Sequence, residues 1–173
     1  MGMALDQFVS SPEIRVVWKA ILQQARKAGG RPLTFTYRCD GPAERRRMQA
    51  TVTADRHSTI DIVSAVARTR PRPPVPVLDH RITARTDEQI RMCSWCARVW
   101  ADAWVSIEEA CRRLGLLEAT RLPAITHGIC PPCMDTLTED LDASPGLLPH
   151  NRHHITTPPP RDTLRITSMP GTA

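Results

Sequence analysis

Lysine is nearly missing from this chain. Lys19 and Lys27 are its two lysines, every other basic residue is arginine, and the formal net charge is +5 over 173 residues. Arginine alongside abundant Ala, Pro and Thr is what a GC-rich coding sequence produces, so the basic balance does not by itself establish nucleic-acid binding. Aromatic residues are also scarce, at 4% of the sequence against 16 prolines. That combination implies a modest packed core and a portion of chain without regular structure. No apolar run approaches the roughly 20 residues that a membrane-spanning helix needs. The start, Met1-Gly2-Met3-Ala4-Leu5-Asp6, lacks the basic n-region and apolar core of a signal peptide, so the expectation is a cytoplasmic protein with reduced thiols and no membrane association. Missing as well are a phosphate-binding glycine loop, a Ser-His-Asp set, a carboxylate dyad and a dinucleotide fingerprint. Those absences point away from an enzyme.

What is present is cysteine in a telling arrangement. Cys93-Ser94-Trp95-Cys96 and Cys130-Pro131-Pro132-Cys133 are two Cys-x-x-Cys pairs separated by 33 residues. Each short spacer lets two sulfurs from one turn reach one ion, and two such pairs complete a tetrahedral zinc site. Cys93, Cys96, Cys130 and Cys133 are therefore the expected ligands of a structural Zn2+. A dithiol oxidoreductase would need a thioredoxin-like βαβ context, and paired disulfides would need an oxidising compartment. His127, three residues before Cys130, can replace a thiolate or hydrogen-bond to a metal-bound sulfur. The second role is expected, because four thiolates already close the site.

Ser11-Pro12-Glu13 opens the first predicted element, with an N-cap, a proline at the first helical position and an acid near the positive helix end. Ile14, Val17, Trp18, Ile21, Leu22 and Ala25 then mark one apolar helical face, and Gly29-Gly30 stops the helix. Alternation of Leu33, Phe35, Tyr37 and Cys39, then Met48, Ala50 and Val52, then Ile60, Ile62, Ser64 and Val66 predicts a three-stranded antiparallel meander. Cys39 is expected on the inner face of its strand, and Asp40 in a turn. Arg45-Arg46-Arg47 is the densest basic cluster. It reads as a solvated face, with phosphate or partner contact as the alternative.

Thr69 to Pro76 carries too many prolines for a sheet and is expected to be a stiff connector. Thr86-Asp87-Glu88 can open a short helix before the first knuckle. Ser106-Ile107-Glu108-Glu109 forms a capping box, and Ile107, Ala110, Cys111 and Leu114 form the buried stripe of the helix that follows. Trp95, Trp100 and Trp104 are expected to supply the core around the metal. Met134, Leu137 and Leu141 mark a helix leaving the second knuckle. From Ala143 the periodicity vanishes and the prolines multiply, which predicts a disordered tail containing His150, His153 and His154. The organisation predicted is α+β: a helix with its sheet over residues 1–68, a linker over 69–85, a four-cysteine zinc-binding module of treble-clef or zinc-ribbon type over 86–142, and a tail over 143–173.

Tyr37-Arg38-Cys39-Asp40 with Pro42 and Arg46-Arg47, then Met92-Cys93-Ser94-Trp95-Cys96, Trp104, and Thr126-His127-Gly128-Ile129-Cys130-Pro131-x-Cys133 resemble a family of small bacterial PAS-like proteins that end in a Cys-x-x-Cys module. The second set is also similar to the cysteine tails found after PAS, GAF or receiver domains in bacterial signalling proteins. The resemblance covers roughly residues 8–141. It implies a partial PAS-like fold and a cytoplasmic signalling or sensory accessory protein with no catalytic centre. A full PAS domain has two strands and several short helices before its long helix, whereas here the long helix comes almost first. The resemblance thus implies half of the usual ligand pocket, and a sheet edge completed by a second copy or a protein partner. The alternatives are a nucleic-acid-binding zinc module that uses Arg45 to Arg47, and a thiol-redox sensor that releases zinc on oxidation.

Overall fold

The computed structural model describes residues 11–57, 59–143 and 164–168, with 142, 143 and 164–168 described by their backbone alone. Helix α1 (Pro12–Lys27) buries Ile14, Val17, Ile21 and Ala25, which is the face its periodicity predicts. Ser11 holds the N-cap position, but its hydroxyl donates to the Glu13 carboxylate at 2.6 Å instead of accepting from a backbone amide. Gly29 and Gly30 end the helix with φ of 60° and 87°, a left-handed region where a side chain would be strained.

Strands β1 (Leu33–Arg38), β2 (Glu44–Ala54) and β3 (Ile60–Pro71) form the expected antiparallel meander, with Leu33 opposite Val52 and Val52 opposite Ile62. Both hairpin arms run further than the hydrophobic alternation suggests. β2 takes in Arg45 to Arg47, and β3 continues through Thr69, Arg70 and Pro71, which lie opposite Arg46, Arg45 and Glu44. The connector therefore begins after Pro71. A proline fits there because it is the terminal residue of the strand, where one missing N–H interrupts no ladder.

A fourth strand, which we number β8 because of its place in the chain (Leu164–Ser168), pairs antiparallel with β3 over Ile60 to Ser64. This corrects the expectation of a wholly unstructured tail for those five residues. The chain's own backbone covers the β3 edge over Ile60 to Ser64, and β1 and β8 are the outer strands of this sheet among the described residues. The tail histidines His150, His153 and His154 lie outside the described residues.

The second half is also built on a sheet. After a 3-10 turn at Pro76–Leu78 come β4 (Arg85–Cys93), the short hairpin β5 (Val99–Trp100) and β6 (Trp104–Val105), α2 (Ile107–Arg113), β7 (Leu122–Gly128) and α3 (Pro131–Ala143). The strand order is β6-β5-β4-β7, and the β4–β7 pair is parallel. Thr86-Asp87-Glu88 is thus strand, not the start of a helix. Val75 and Val77 of the expected linker are buried with Ile90, Val99, Ile107 and Leu122 in a second core. The segment is a packed component of the fold, which is why it is not free to act as a spacer.

The first core spans both halves. Phe35 stacks on Trp95 at 5.0 Å with 22° between ring planes, Trp18 meets Phe35 edge-on at 6.0 Å, and Cys93, Ile129, Cys130 and Leu137 join α1 and the first sheet in one cluster. Trp100 departs from expectation: it is 50% exposed and packs edge-on against Trp104 at 5.8 Å, at the tip of the β5–β6 hairpin. Ile107, Ala110 and Cys111 are buried as expected, whereas Leu114 is exposed beyond the last turn of α2.

Ser106 caps α2 by accepting from the Glu109 amide at 3.2 Å. The Glu109 carboxylate pairs with Arg112 and Arg113 on the helix surface. Ser106→Ala is expected to lower stability by about 1 kcal/mol, the usual worth of a side-chain N-cap, measured as a shift in the urea midpoint at unchanged slope.

Candidate metal centre

Two backbone turns bring the four thiols together. Cys93 is the last residue of β4, and its amide donates to the Arg98 carbonyl at 2.8 Å while Ala97 N–H returns to the Cys93 carbonyl at 3.0 Å. Ala97 closes this turn at φ 57°, a left-handed conformation uncommon outside glycine. Ser94 N–H donates to the Gly128 carbonyl at 2.9 Å and ties this knuckle to the end of β7. On the other side, Cys130 immediately precedes α3, and Cys133 lies in its first turn, with Cys133 and Met134 amides both donating to the Cys130 carbonyl at 3.0 Å. Pro131 and Pro132 suit the first helical positions because their missing N–H groups would have no intrahelical partner.

The Sγ atoms of Cys93, Cys96, Cys130 and Cys133 all lie within 4.8 Å of one another, and Cys96 and Cys130 are 3.7 Å apart. Four sulfurs about 2.3 Å from one tetrahedral ion stand about 3.8 Å apart, so the donor set fits a single metal ion. Cys93 and Cys130 are buried, while Cys96 and Cys133 are half-buried. Amides of Trp95 and Cys130 each donate to Cys93 Sγ at 3.4 Å, the pattern that stabilises a thiolate.

Protonation follows from crowding. Hydrogen bonds from the Cys133 and Cys96 thiols, with help from the Cys96 and Cys130 amides, pull Cys93 far below the ordinary thiol range. Cys133 is pushed well up, first by its hydrogen bond to Cys93 and then by Cys96 and burial. Cys96 is drawn down by Cys133, but Cys93 and burial outweigh this and push it up to about 11. Without a cation a thiolate at Cys93 thus opposes ionisation of Cys96 and Cys133; four thiolates together require a positive ion among them.

His127, expected to serve a sulfur, is an exposed residue of β7 opposite Met92, and among the described residues it makes no hydrogen bond to a cysteine. Backbone amides fill that role. Cys39, expected on an inner face, is exposed because β1 ends at Arg38 and the chain turns away. Cys111 is packing in the second core, and burial raises its pKa.

Arg45, Arg46 and Arg47 are strand residues with different partners. Arg45 pairs with Glu108 of α2 at 2.6 Å, and Arg46 pairs with Glu44 at 3.5 Å and donates to the Cys39 carbonyl. Arg47 has no ion-pair partner among the described residues. The three join Arg38, Arg68 and Arg70 around a cavity of about 410 Å³ that Cys96 and Cys133 of the cysteine cluster also line. Arg38 was quoted from the sequence only as part of the family motif, and Arg68 and Arg70 were not singled out, although the alternating Arg68-Thr69-Arg70 was a signal for two side chains on one side of a strand.

Asp40 carries more than a turn. Its carboxylate, with a side chain only 1% exposed, accepts from Arg38, from Arg72 at 3.1 Å and from the Arg46 amide at 3.2 Å. Arg72 is buried as deeply and also reaches Glu108 at 3.5 Å and the Gly41 carbonyl at 2.8 Å. This ion cluster fastens the β1–β2 turn to α2. No protein-family model, no curated protein and no solved structure matches this chain.

Proposed function

We propose that this chain is a non-enzymatic, zinc-stabilised signalling or sensory accessory protein that works in the cytoplasm through protein–protein contacts. The observation that carries this reading is the position of the four-sulfur cluster: Cys93 and Cys130 belong to the same buried core as α1, β1 and β2. An ion so placed is a scaffold for the surfaces around it. The all-thiolate donor set favours zinc, with iron as the competitor for a tetrahedral four-sulfur site. Four reduced thiols suit a reducing compartment, and no helix among the described residues is long and apolar enough to cross a membrane.

The finer reading is a partial PAS-like sheet with its helix, joined to a four-cysteine module of treble-clef type. It is supported by the helix-then-meander order of α1, β1, β2 and β3, and by one ligand pair in a strand-end knuckle with the other at a helix start. The surface proposed for the partner, or for a second copy of the chain, is the open edge of β1. A photo-reactive residue replacing Thr34 on that edge is expected to give one dominant crosslinked species in cells. A diffuse set of weak adducts with none dominant would count against the reading.

A further inference from the structure

The sheet places like charges directly opposite one another. Arg47 of β2 lies across from Arg38 of β1 on one side and Arg68 of β3 on the other, and Arg45 lies across from Arg70. Neighbouring strands run about 4.8 Å apart, and like charges in register destabilise a sheet. Carboxylates answer only part of this. Asp40 is engaged by Arg38 and Arg72, Glu108 by Arg45 and Arg72, and Glu44 by Arg46. Arg47, Arg68 and Arg70, all exposed, have no acidic partner among the described residues.

These guanidinium groups converge on a concave site of about 410 Å³ instead of spreading over the surface. That volume lies within the range of small-molecule pockets. Tyr37 and Trp95 form part of the wall, so the site offers aromatic surface beside the charge. Planar guanidinium forks match phosphoryl oxygens in pairs, and a lone phosphate would leave the aromatic wall uncovered.

We propose that this cavity binds a nucleoside diphosphate, with the two phosphoryl groups on Arg47, Arg68 and Arg70 and the nucleoside against Tyr37 and Trp95. Such a ligand carries a charge of about −3 near neutral pH, which matches the three arginines that have no acidic partner among the described residues. A nucleic acid would call for a basic track longer than the ligand, whereas the described cluster closes around one cavity. Cys96 and Cys133 also line the site, so the bound ligand shields two of the four sulfurs. This inference stands on the sheet register and the cavity, and does not depend on the partner surface proposed above.

The test is calorimetric titration of the metal-loaded full chain with ADP, inorganic pyrophosphate and a single-stranded oligodeoxythymidylate, repeated with Arg47→Ala/Arg68→Ala. Expected are saturable ADP binding tighter than pyrophosphate, at least about tenfold weaker binding in the variant, and slower extraction of metal by a chelator when ADP is present. Metal content and thermal midpoint in the variant stay at or above those of the parent, because a like-charge contact has been removed. The proposal is overturned by absence of ADP binding, by equal affinity for pyrophosphate, or by tight oligonucleotide binding that ADP does not displace. It is equally overturned if the variant loses its metal, which would make the arginines counter-charges of the thiolates.

Discussion

Cys130→Ser is expected to abolish metal binding and cooperative folding together. Mass spectrometry of untagged protein should find about one zinc per chain in the parent and none in the variant, with a sigmoidal thermal transition in the first and none in the second. The size of the effect follows from two magnitudes. A structural zinc contributes about 10–16 kcal/mol in small peptides, and the net stability of an ordinary domain is about 5–15 kcal/mol. Loss of the ion therefore takes away as much as the fold has to spare. Substitution at Cys130 also reaches well beyond the knuckles, because the residue is 1% exposed and shares a core with Phe35, Trp95 and Ile21. The near-ultraviolet signal of Trp18, distant from the cysteines in sequence, should collapse with that of Trp95. A metal-free variant that kept both signals would show that the ion is not structural. Iron in place of zinc would leave the scaffold argument intact and change the metal assigned.

Asp40→Asn is expected to cost about 3–5 kcal/mol, the range for breaking a buried ion pair on one side, read from urea denaturation at neutral pH. Asparagine keeps the shape and removes the charge. Arg38 then loses its carboxylate, and Arg72, whose side chain is 2% exposed, keeps the Gly41 carbonyl but has only the longer contact to Glu108 as an ion pair. Burial already pulls the Arg72 pKa down against the opposing pull of Asp40 and Glu108, which shows how unfavourable an isolated cation would be there. Its Nε has no partner even in the intact cluster. Burial of Glu108 opposes ionisation, yet hydrogen bonds from Arg45 and the backbone and the charges of Arg45 and Arg72 hold it below the ordinary carboxylate range. Adding Arg72→Met to Asp40→Asn should recover part of the loss, because the double variant leaves no buried unpaired charge at that point. A loss below about 1 kcal/mol in the single variant would place the cluster in water, in conflict with its burial.

Local signals were legible in the sequence, and the pairing of distant segments was not. The α1 face, the alternation in β1 to β3 and the two cysteine pairs each declare themselves within a few residues, by periodicity or ligand spacing. β4 does not, because Thr86, Asp87, Glu88 and Gln89 are polar and only Ile90 is deeply buried among its central residues. Its partner β7 is parallel and reached through a hairpin and a helix, so no turn signal links the two. The prolines from Pro71 to Pro76 misled for a related reason. They rule out a central strand but not burial, and Val75 and Val77, on either side of Pro76, pack into the second core. Arg72 shows the limit most clearly: a charged residue in a proline-rich stretch reads as solvated, and its burial depends on Asp40 and Glu108 from two other elements. The Arg45-Arg46-Arg47 run was visible, but its convergence with Arg38, Arg68 and Arg70 is a property of strand register.

The parallel pairing of β4 with β7 has a consequence for how the protein comes into being. Cys93 lies opposite Gly128, and Cys130 follows two residues later, so the two thiol pairs sit at matching ends of strands that no hairpin can bring together. Capture of one ion by both pairs would close that long loop and set the register in a single event. On the ribosome that event would have to wait until Cys133 has emerged, so that α1 with β1 to β3 would spend the interval without the completed knuckles in their core. Chains made when metal is scarce would then remain open and exposed to proteases. The abundance of the folded protein should accordingly follow the metal supply at the time of synthesis, independently of how much message the cell makes.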